Sequence, residues 1–524
     1  MKKNKFLIWA SYFTYSFIFM MFLMVLFFNK PSIFVFSIPL QAVCFLLGEG
    51  LIILTLFMFR AKLTKSRYFG RIVKNDQKLV LLGLFILFFV QVLFVSQFYS
   101  QTGFDADYIY HAAQQMPHSD FGPEYFSLYP NNLLLLFLEY FVYQIKIFFG
   151  LNVDFYWLLV VLNIIAIDIA LYLIYVITKK IFSQLLACCA LALGILLLGL
   201  MPWLTSVYSD TLSIPIALSI FYLYLRLKDT SHWGYKLGYG ILIGVFLELG
   251  FLMKPATIFI GIAIILIEIM MCNYRLLIQN SQKIILSSLI GGAVLCGVYA
   301  VRLPFNYVLD NQQIIEYDAT MNFPFTHWMM MGLKESKIGD QPAYGFWTVE
   351  DFSLTYNIQG KDEKTKANIA VIKTRLKDYG FFGYLQFVWN KSIWFLGDGT
   401  FFWNGEGVSR KPTEVPGMQK TIQEFIYPSG SYYHYYAYML QTVWLMLLFN
   451  LAMVFFCIKR YAAKNFYILS CTILGSIVFV VLFEGRSRYL MTNLGFYIII
   501  ASLGMEKILT FIRSYLQKLK RRRT

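Results

Sequence analysis

The chain has 524 residues, 58% of them hydrophobic and 19% aromatic, and a mean hydropathy of +0.60, which excludes an ordinary soluble domain. Its formal charge of +16 would suit a nucleic-acid partner. However, the basic residues cluster beside apolar runs, as in the cytoplasmic loops of a membrane protein. The expectation is an all-α polytopic membrane protein that meets the lipid bilayer and no nucleic acid.

In chain order, "MKKNK" followed by the apolar run 6–28 resembles a signal peptide. The run is too long for an h-region and no small-x-small cleavage site follows, so it reads as a retained anchor. About thirteen apolar stretches approach the roughly 20 residues that cross a hydrocarbon core. They lie near 6–28, 33–59, 79–98, 129–149, 155–178, 181–200, 209–227, 237–253, 255–272, 284–303, 436–458, 464–483 and 489–511. The seven cysteines (Cys44, Cys188, Cys189, Cys272, Cys296, Cys457, Cys471) all fall in or beside these runs, with neither a disulfide framework nor a zinc-ligand spacing.

Charge assigns the loops. Arg60, Lys62, Lys65, Arg67, Arg71, Lys74 and Lys78 face only Asp76, and the tail ends "KLKRRRT"; both read as cytoplasmic. With the N-terminus inside, alternation puts 99–128 outside. Beyond it, strict alternation would also put Lys179, Lys180, 226–236, 275–283 and 459–464 outside. One non-crossing segment between 129 and 178 returns all of these basic loops to the cytoplasm. The preferred one is 129–149, interrupted by Glu139 and Lys146, with 155–178, carrying Asp168, as the alternative.

The reading is therefore about twelve spanning helices plus one re-entrant or interfacial segment, both termini being cytoplasmic, by the usual span length. Residues 1–78 form an N-terminal two-helix addition with a basic loop, and 79–303 a transmembrane catalytic module. Residues 304–435 form a large external region, and 436–524 the last spans and a basic tail. The external region contains "YGFFGYLQFVWNKSIWFLGDGTFFW", an aromatic density suited to the headgroup level.

Some cations depart from the charge rule. Lys254 in "MKPAT", Arg302 in "VRLP", and Arg486 and Arg488 in "FEGRSRY" stand at external ends of spans, where charges are paired or functional. Pairing would couple Glu484 to Arg488 at i, i+4 and leave Lys254 only Glu248 on its own helix. A phosphate at the outer surface would account for all four cations.

The stretch "GFDADYIYHAAQQMPHSD" holds Asp105, Asp107, His111, His118 and Asp120, with no Lys or Arg from Tyr99 to Leu128. Asp105 could cap a helix and Asp107 sit in its first turn, but that leaves the two histidines and the third acid unexplained. Asp210 in "VYSDTLSIP" is a second acid near a membrane surface. A carboxylate against apolar surface can act as a general base, and Asp-x-Asp can hold a divalent cation, with Asp105, Asp107 and Asp210 as its ligand set. His111 shares a helix face with Asp107, and His327 lies in the aromatic "FPFTHWMMMGL"; both are candidates for substrate contact, against plain polar surface and interfacial packing respectively.

Taken in order, "FDADYIYHAA", "YFSLYPNNLLL", "VYSDTL", "MKPAT" and "EGRSRYL" resemble the polytopic GT-C glycosyltransferases, the superfamily of protein O-mannosyltransferases and the aminoarabinose transferases of lipid A. The likeness spans residues 79–500 and is greatest to uncharacterised Gram-positive bacterial members; residues 1–60 look like an addition before the shared core. The resemblance implies a polyprenyl-phosphate sugar donor and a carboxylate base in the first external loop. Asp105 is the first choice of base and Asp107 the second. Asp210 matches the acid of the second external turn, and Lys254, Arg486 and Arg488 match cations near the lipid phosphate. Asp-Ala-Asp departs from the family's adjacent Asp-Glu, which leaves the base and any metal open.

The expected activity is sugar transfer to a hydroxyl of a cell-wall glycan, glycolipid or protein on the external face, without a nucleotide, in keeping with the lack of a glycine-rich phosphate loop. A polymerase or ligase of lipid-linked glycans would instead concentrate Arg and His in the large outer loop. A lipid-sugar flippase would carry charges deep in its spans, where Glu139, Asp168 and Glu248 are the candidates.

Overall fold

The computed structural model describes residues 5–28, 38–63, 76–99, 101–116, 122, 124–272, 281–339, 341–408 and 410–523. His118, Asp120 and most of the basic segments 60–78 and 275–283 lie outside them. Among the described residues, nine helices are long and apolar enough to cross a membrane. They are Lys5–Phe28, Asp76–Phe98, Phe155–Ile181, Ser209–Asp229, Trp233–Met253, Ser281–Asn311, Tyr433–Tyr461, Lys464–Leu482 and Ser487–Leu519, and Pro39–Thr55, Gln184–Gly199 and Pro255–Met271 are shorter apolar helices. Leu133–Phe148 has 16 residues, about 24 Å at 1.5 Å per residue, and falls short of a core roughly 30 Å thick.

The helices beginning at Tyr433 and Leu494 pack against each other, and the first two helices of the chain lie against Tyr433–Met453. Polar side chains inside the bundle meet one another, because lipid supplies no partner. Tyr15 Oη lies 2.7 Å from Ser470 Oγ, Gln41 accepts from Gln441 at 3.4 Å, and Glu49 accepts from Asn450 at 3.1 Å. Small residues let one helix pair approach closely. A Cβ on Gly244 would come within 2.0 Å of the Val294 carbonyl oxygen, and one on Gly297 within 2.0 Å of that of Ile241, so only hydrogen fits where Trp233–Met253 crosses Ser281–Asn311.

The all-α expectation needs one correction. Glu335–Ile338 and Gln341–Tyr344 pair as an antiparallel hairpin within residues 304–435. That region also holds Phe325–Gly332, Val349–Tyr356, the long helix Lys361–Leu396 and Met418–Ile426. The long helix breaks at Gly380, φ 58°, a left-handed conformation that glycine adopts without a Cβ clash.

The aromatic stretch expected at the headgroup level divides at this break. Phe381 and Phe382 are exposed, while Trp394, Phe395, Phe401, Phe402 and Trp403 are buried. Its second half is thus interior packing rather than surface. Lys391, fully buried, donates to the carbonyls of Gly332, Val481 and Phe483 at 2.6, 2.9 and 2.5 Å. The Trp394 indole donates to Gly485 O at 2.7 Å. Together they tie the long helix and the end of Phe325–Gly332 to the segment that carries Arg486 and Arg488.

Candidate active site

The helix Phe104–Ala113, in the loop expected outside, starts after Gly103. The Gly103 amide donates to Glu406 O at 2.9 Å, and a Cβ there would sit 3.2 Å from Gly407 Cα. Two glycines in contact therefore bring the start of Phe104–Ala113 against residues 403–408. Asp105, one place into the helix, does not cap it. Its Oδ1 accepts from the Tyr125 hydroxyl at 2.7 Å and its Oδ2 from that of Tyr208 at 3.3 Å. Tyr125 in turn accepts from Asn132 Nδ2 at 2.7 Å. "YFSLYPNN" and "VYSD" thus supply the groups that orient one carboxylate.

Asp105 lines a cavity of about 650 Å³ together with Lys254, His327, Arg486 and Arg488. Four elements far apart in sequence contribute these side chains. Lys254 ends the helix Trp233–Met253, His327 belongs to Phe325–Gly332, and the arginines flank the start of the 3₁₀ segment Ser487–Asn493. Trp347, Phe346, Phe352 and Tyr129 complete an aromatic wall.

The cations hold carboxylates already. Lys254 Nζ lies 2.8 Å from Asp210 Oδ1 and 4.6 Å over the Tyr489 ring. Arg488, almost completely buried, pairs with Glu406 and reaches Asp210 at 3.7 Å and Asp105 at 3.9 Å. Arg486 Nε lies 2.9 Å from Glu484, and its guanidinium stacks 4.6 Å from the Phe346 ring centre. Burial raises the Glu406 carboxyl above its ordinary pKa although Arg488 and Arg486 pull it down.

Several sequence expectations change here. Asp107 and His111 pair with each other at 3.3 Å and do not line the cavity. Asp210 stands behind Lys254 and Arg488 rather than in the wall. Arg302 pairs with Glu248 at 2.5 Å and is not in the wall, so three cations face the cavity, not four. Lys254 finds its acid across helices in Asp210, and Glu484 bonds Arg486 and Tyr489 rather than Arg488. Among the described residues, no three His, Cys, Asp or Glu side chains converge to hold a metal ion. The set Asp105, Asp107 and Asp210 is parted, with Arg488 beside Asp105 and Asp210, and Asp107 turned to His111.

Glu406 escaped the sequence reading. The available signal was "WNGEG", an acid between glycines in an aromatic run. Asp398 shapes the turn before it, accepting from Thr400 N at 2.9 Å, Phe402 N at 2.7 Å and Ser487 Oγ at 3.0 Å. These bonds hold Phe401 and Phe402 at φ 54° and 66°, a conformation that costs a non-glycine residue about 1–3 kcal/mol and persists where the surroundings enforce it.

No curated protein matches the chain. A family model described as conserved hypothetical integral membrane protein matches residues 1–509. With nine membrane-length apolar helices among its described residues, the chain belongs to that family and is a multi-pass integral membrane protein.

Proposed function

We propose that this protein is a GT-C-type glycosyltransferase that moves a sugar from a polyprenyl-phosphate carrier to an acceptor hydroxyl on the external membrane face. The observation that carries this reading is one cavity lined by Asp105 and by Lys254, Arg486 and Arg488. In the proposed step the Asp105 carboxylate takes the proton of the acceptor hydroxyl while its oxygen attacks the anomeric carbon. The bond from that carbon to the phosphate oxygen breaks, and the electron pair leaves with the phosphate, whose growing charge the three cations stabilise. The acceptor is a cell-wall glycan, glycolipid or protein.

In topology, the three shorter apolar helices counted with the nine long ones give the twelve crossings of this reading, with both termini in the cytoplasm. Leu133–Phe148, buried at Glu139 and packed on Phe104–Ala113, is the segment that does not cross in this reading. The cavity then opens at the outer surface.

The test is single-turnover transfer from purified polyprenyl-phosphate hexose to a membrane acceptor fraction. Asp105→Asn is expected to lower the rate about 10² to 10⁴-fold, the usual loss of general-base help, with protein level and donor binding largely kept. Near-wild-type turnover removes Asp105 from the role. Absence of transfer by wild-type protein across a panel of such donors and acceptors overturns the reading.

A further inference from the structure

His327 lines the cavity, is fully buried, and uses only one of its ring nitrogens. Nδ1 lies 2.8 Å from Thr355 Oγ1, whereas Nε2 has no hydrogen-bond partner among the described residues. The polar chain behind the ring fixes its tautomer. Thr355 Oγ1 lies 3.0 Å from Asn368 Oδ1 and 3.3 Å from the Asp351 carbonyl oxygen. Both accept and neither donates, so the threonine proton is committed away from the histidine. Asn368 is oriented in turn by its Nδ2, 3.4 Å from Thr326 Oγ1. Only lone pairs remain on Thr355 for the imidazole, so Nδ1 carries the ring proton and Nε2 keeps an unmatched lone pair, buried with the rest of the ring.

Burial holds the ring pKa down, to about 4, so the imidazole is neutral at physiological pH. A neutral ring with an unmatched lone pair repels phosphate and carboxylate oxygens, which separates His327 from the cations of the same cavity. It requires a ligand that donates. A buried acceptor left unmatched costs about 1–3 kcal/mol, so an occupant carrying a hydroxyl gains what the empty wall lacks. Trp347, Phe346 and Phe352 line the same cavity, and such apolar ring surface packs against the C–H face of a sugar ring.

We infer that His327 Nε2 accepts a hydrogen bond from a hydroxyl of the sugar on the lipid phosphate and so orients that sugar against the aromatic wall. This rests on the transferase reading above. His327 is a binding group for the sugar, not a base, and the phosphate belongs to the cation side.

The test uses full-length protein in nanodiscs and two probes, polyprenyl phosphate and polyprenyl-phosphate hexose, titrated by intrinsic tryptophan fluorescence. His327→Asn keeps an N–H where Nδ1 meets Thr355 and removes the Nε2 acceptor. His327→Gln extends an amide oxygen to about where Nε2 stood. Wild type is expected to favour the hexose-bearing lipid. His327→Asn should weaken that lipid roughly tenfold, the loss of one neutral hydrogen bond, and leave bare polyprenyl phosphate unchanged; His327→Gln should recover most of the loss. Equal weakening of both lipids, no weakening of either, or wild type binding the two lipids equally overturns the inference while the transferase reading stands. If wild type binds neither lipid but binds a free hexose, and His327→Asn abolishes that binding, the transferase reading falls and the hydroxyl site stands. Binding of none of these probes overturns both.

Discussion

Replacing Arg488 by Met tests the charge cluster without knowledge of any substrate. The guanidinium, with 4% of its side chain exposed, pairs with Glu406 and lies 3.7 Å from Asp210 and 3.9 Å from Asp105. At such distances a unit-charge pair is worth about 4 kcal/mol at an effective dielectric near 20, offset by the desolvation of the ions. Removing the arginine leaves Glu406, among the described residues, with Arg486 3.7 Å away, and leaves Asp210 with Lys254. Breaking a buried pair from one side costs about 3–5 kcal/mol, and that is the loss expected for Arg488→Met. Glu406→Gln neutralises the nearest of the stranded acids. In that background the arginine should matter less, with a coupling of about 2 kcal/mol in the double-mutant cycle. The assay is denaturant unfolding in detergent of wild type, both single variants and the double variant. An Arg488→Met protein within about 0.5 kcal/mol of wild type, below the usual cost of a lost buried contact, or strictly additive losses would refute the argument. Activity measured with Arg488→Met alone would mix stability with catalysis, so the cycle comes first.

Two further outcomes follow from packing. Lys391→Met strips the donor from the Gly332, Val481 and Phe483 carbonyls and should lower stability by about 3 kcal/mol or more, each unsatisfied buried group contributing roughly 1–3 kcal/mol; an unchanged unfolding midpoint would contradict this. Gly244→Val drives a side chain into the Val294 backbone, where a Cβ already comes within 2.0 Å, and should cost about 3 kcal/mol. Gly292→Ala, with nothing within 4 Å of its Cβ, should be silent in the same melts.

The membrane class and most spans were legible because run length and charge placement are local properties of the chain. Lys254, Arg486, Arg488, Asp105 and His327 were legible as charges or polar groups at span ends and in the loops between spans, and the fold brings all five to one cavity. Their partners were not. The i, i+4 pairing of Glu484 with Arg488 presumes an α-helix, but the backbone is extended at Arg486 and 3₁₀ from Ser487, which turns Glu484 to Arg486 instead. Asp210 reaches Arg488 where Ser209–Asp229 packs on Ser487–Asn493, and Asp105 comes to Glu406 and Arg488 through the Gly103–Gly407 contact; no spacing within one segment encodes either. The hairpin was hidden because "ESKI" and "QPAY" are short, polar and include Pro342, which blurs the period-two signal of a strand.

The balance of charge around the cavity carries a last consequence. Lys254, Arg486 and Arg488 already face Asp105, Asp210, Glu406 and Glu484, so the cations are preorganised but not in excess. A sugar phosphodiester brings one more negative charge, and that charge does not titrate near neutral pH. For it to bind in the proposed manner, an acid of the cluster must give up its charge. Glu406 is the group prepared to do so, since burial raises its pKa against the pull of two arginines, and a bound anion beside those arginines raises it further. The bound state then holds more protons than the free state, so affinity rises as pH falls through the interval between the two values, by up to about tenfold per pH unit. Glu406→Gln fixes the neutral form. It should flatten the pH dependence of polyprenyl-phosphate hexose binding and bind more tightly than wild type at the alkaline end. Titrations at several pH values read both effects, and a pH slope that survives in Glu406→Gln would assign the proton to a different carboxylate.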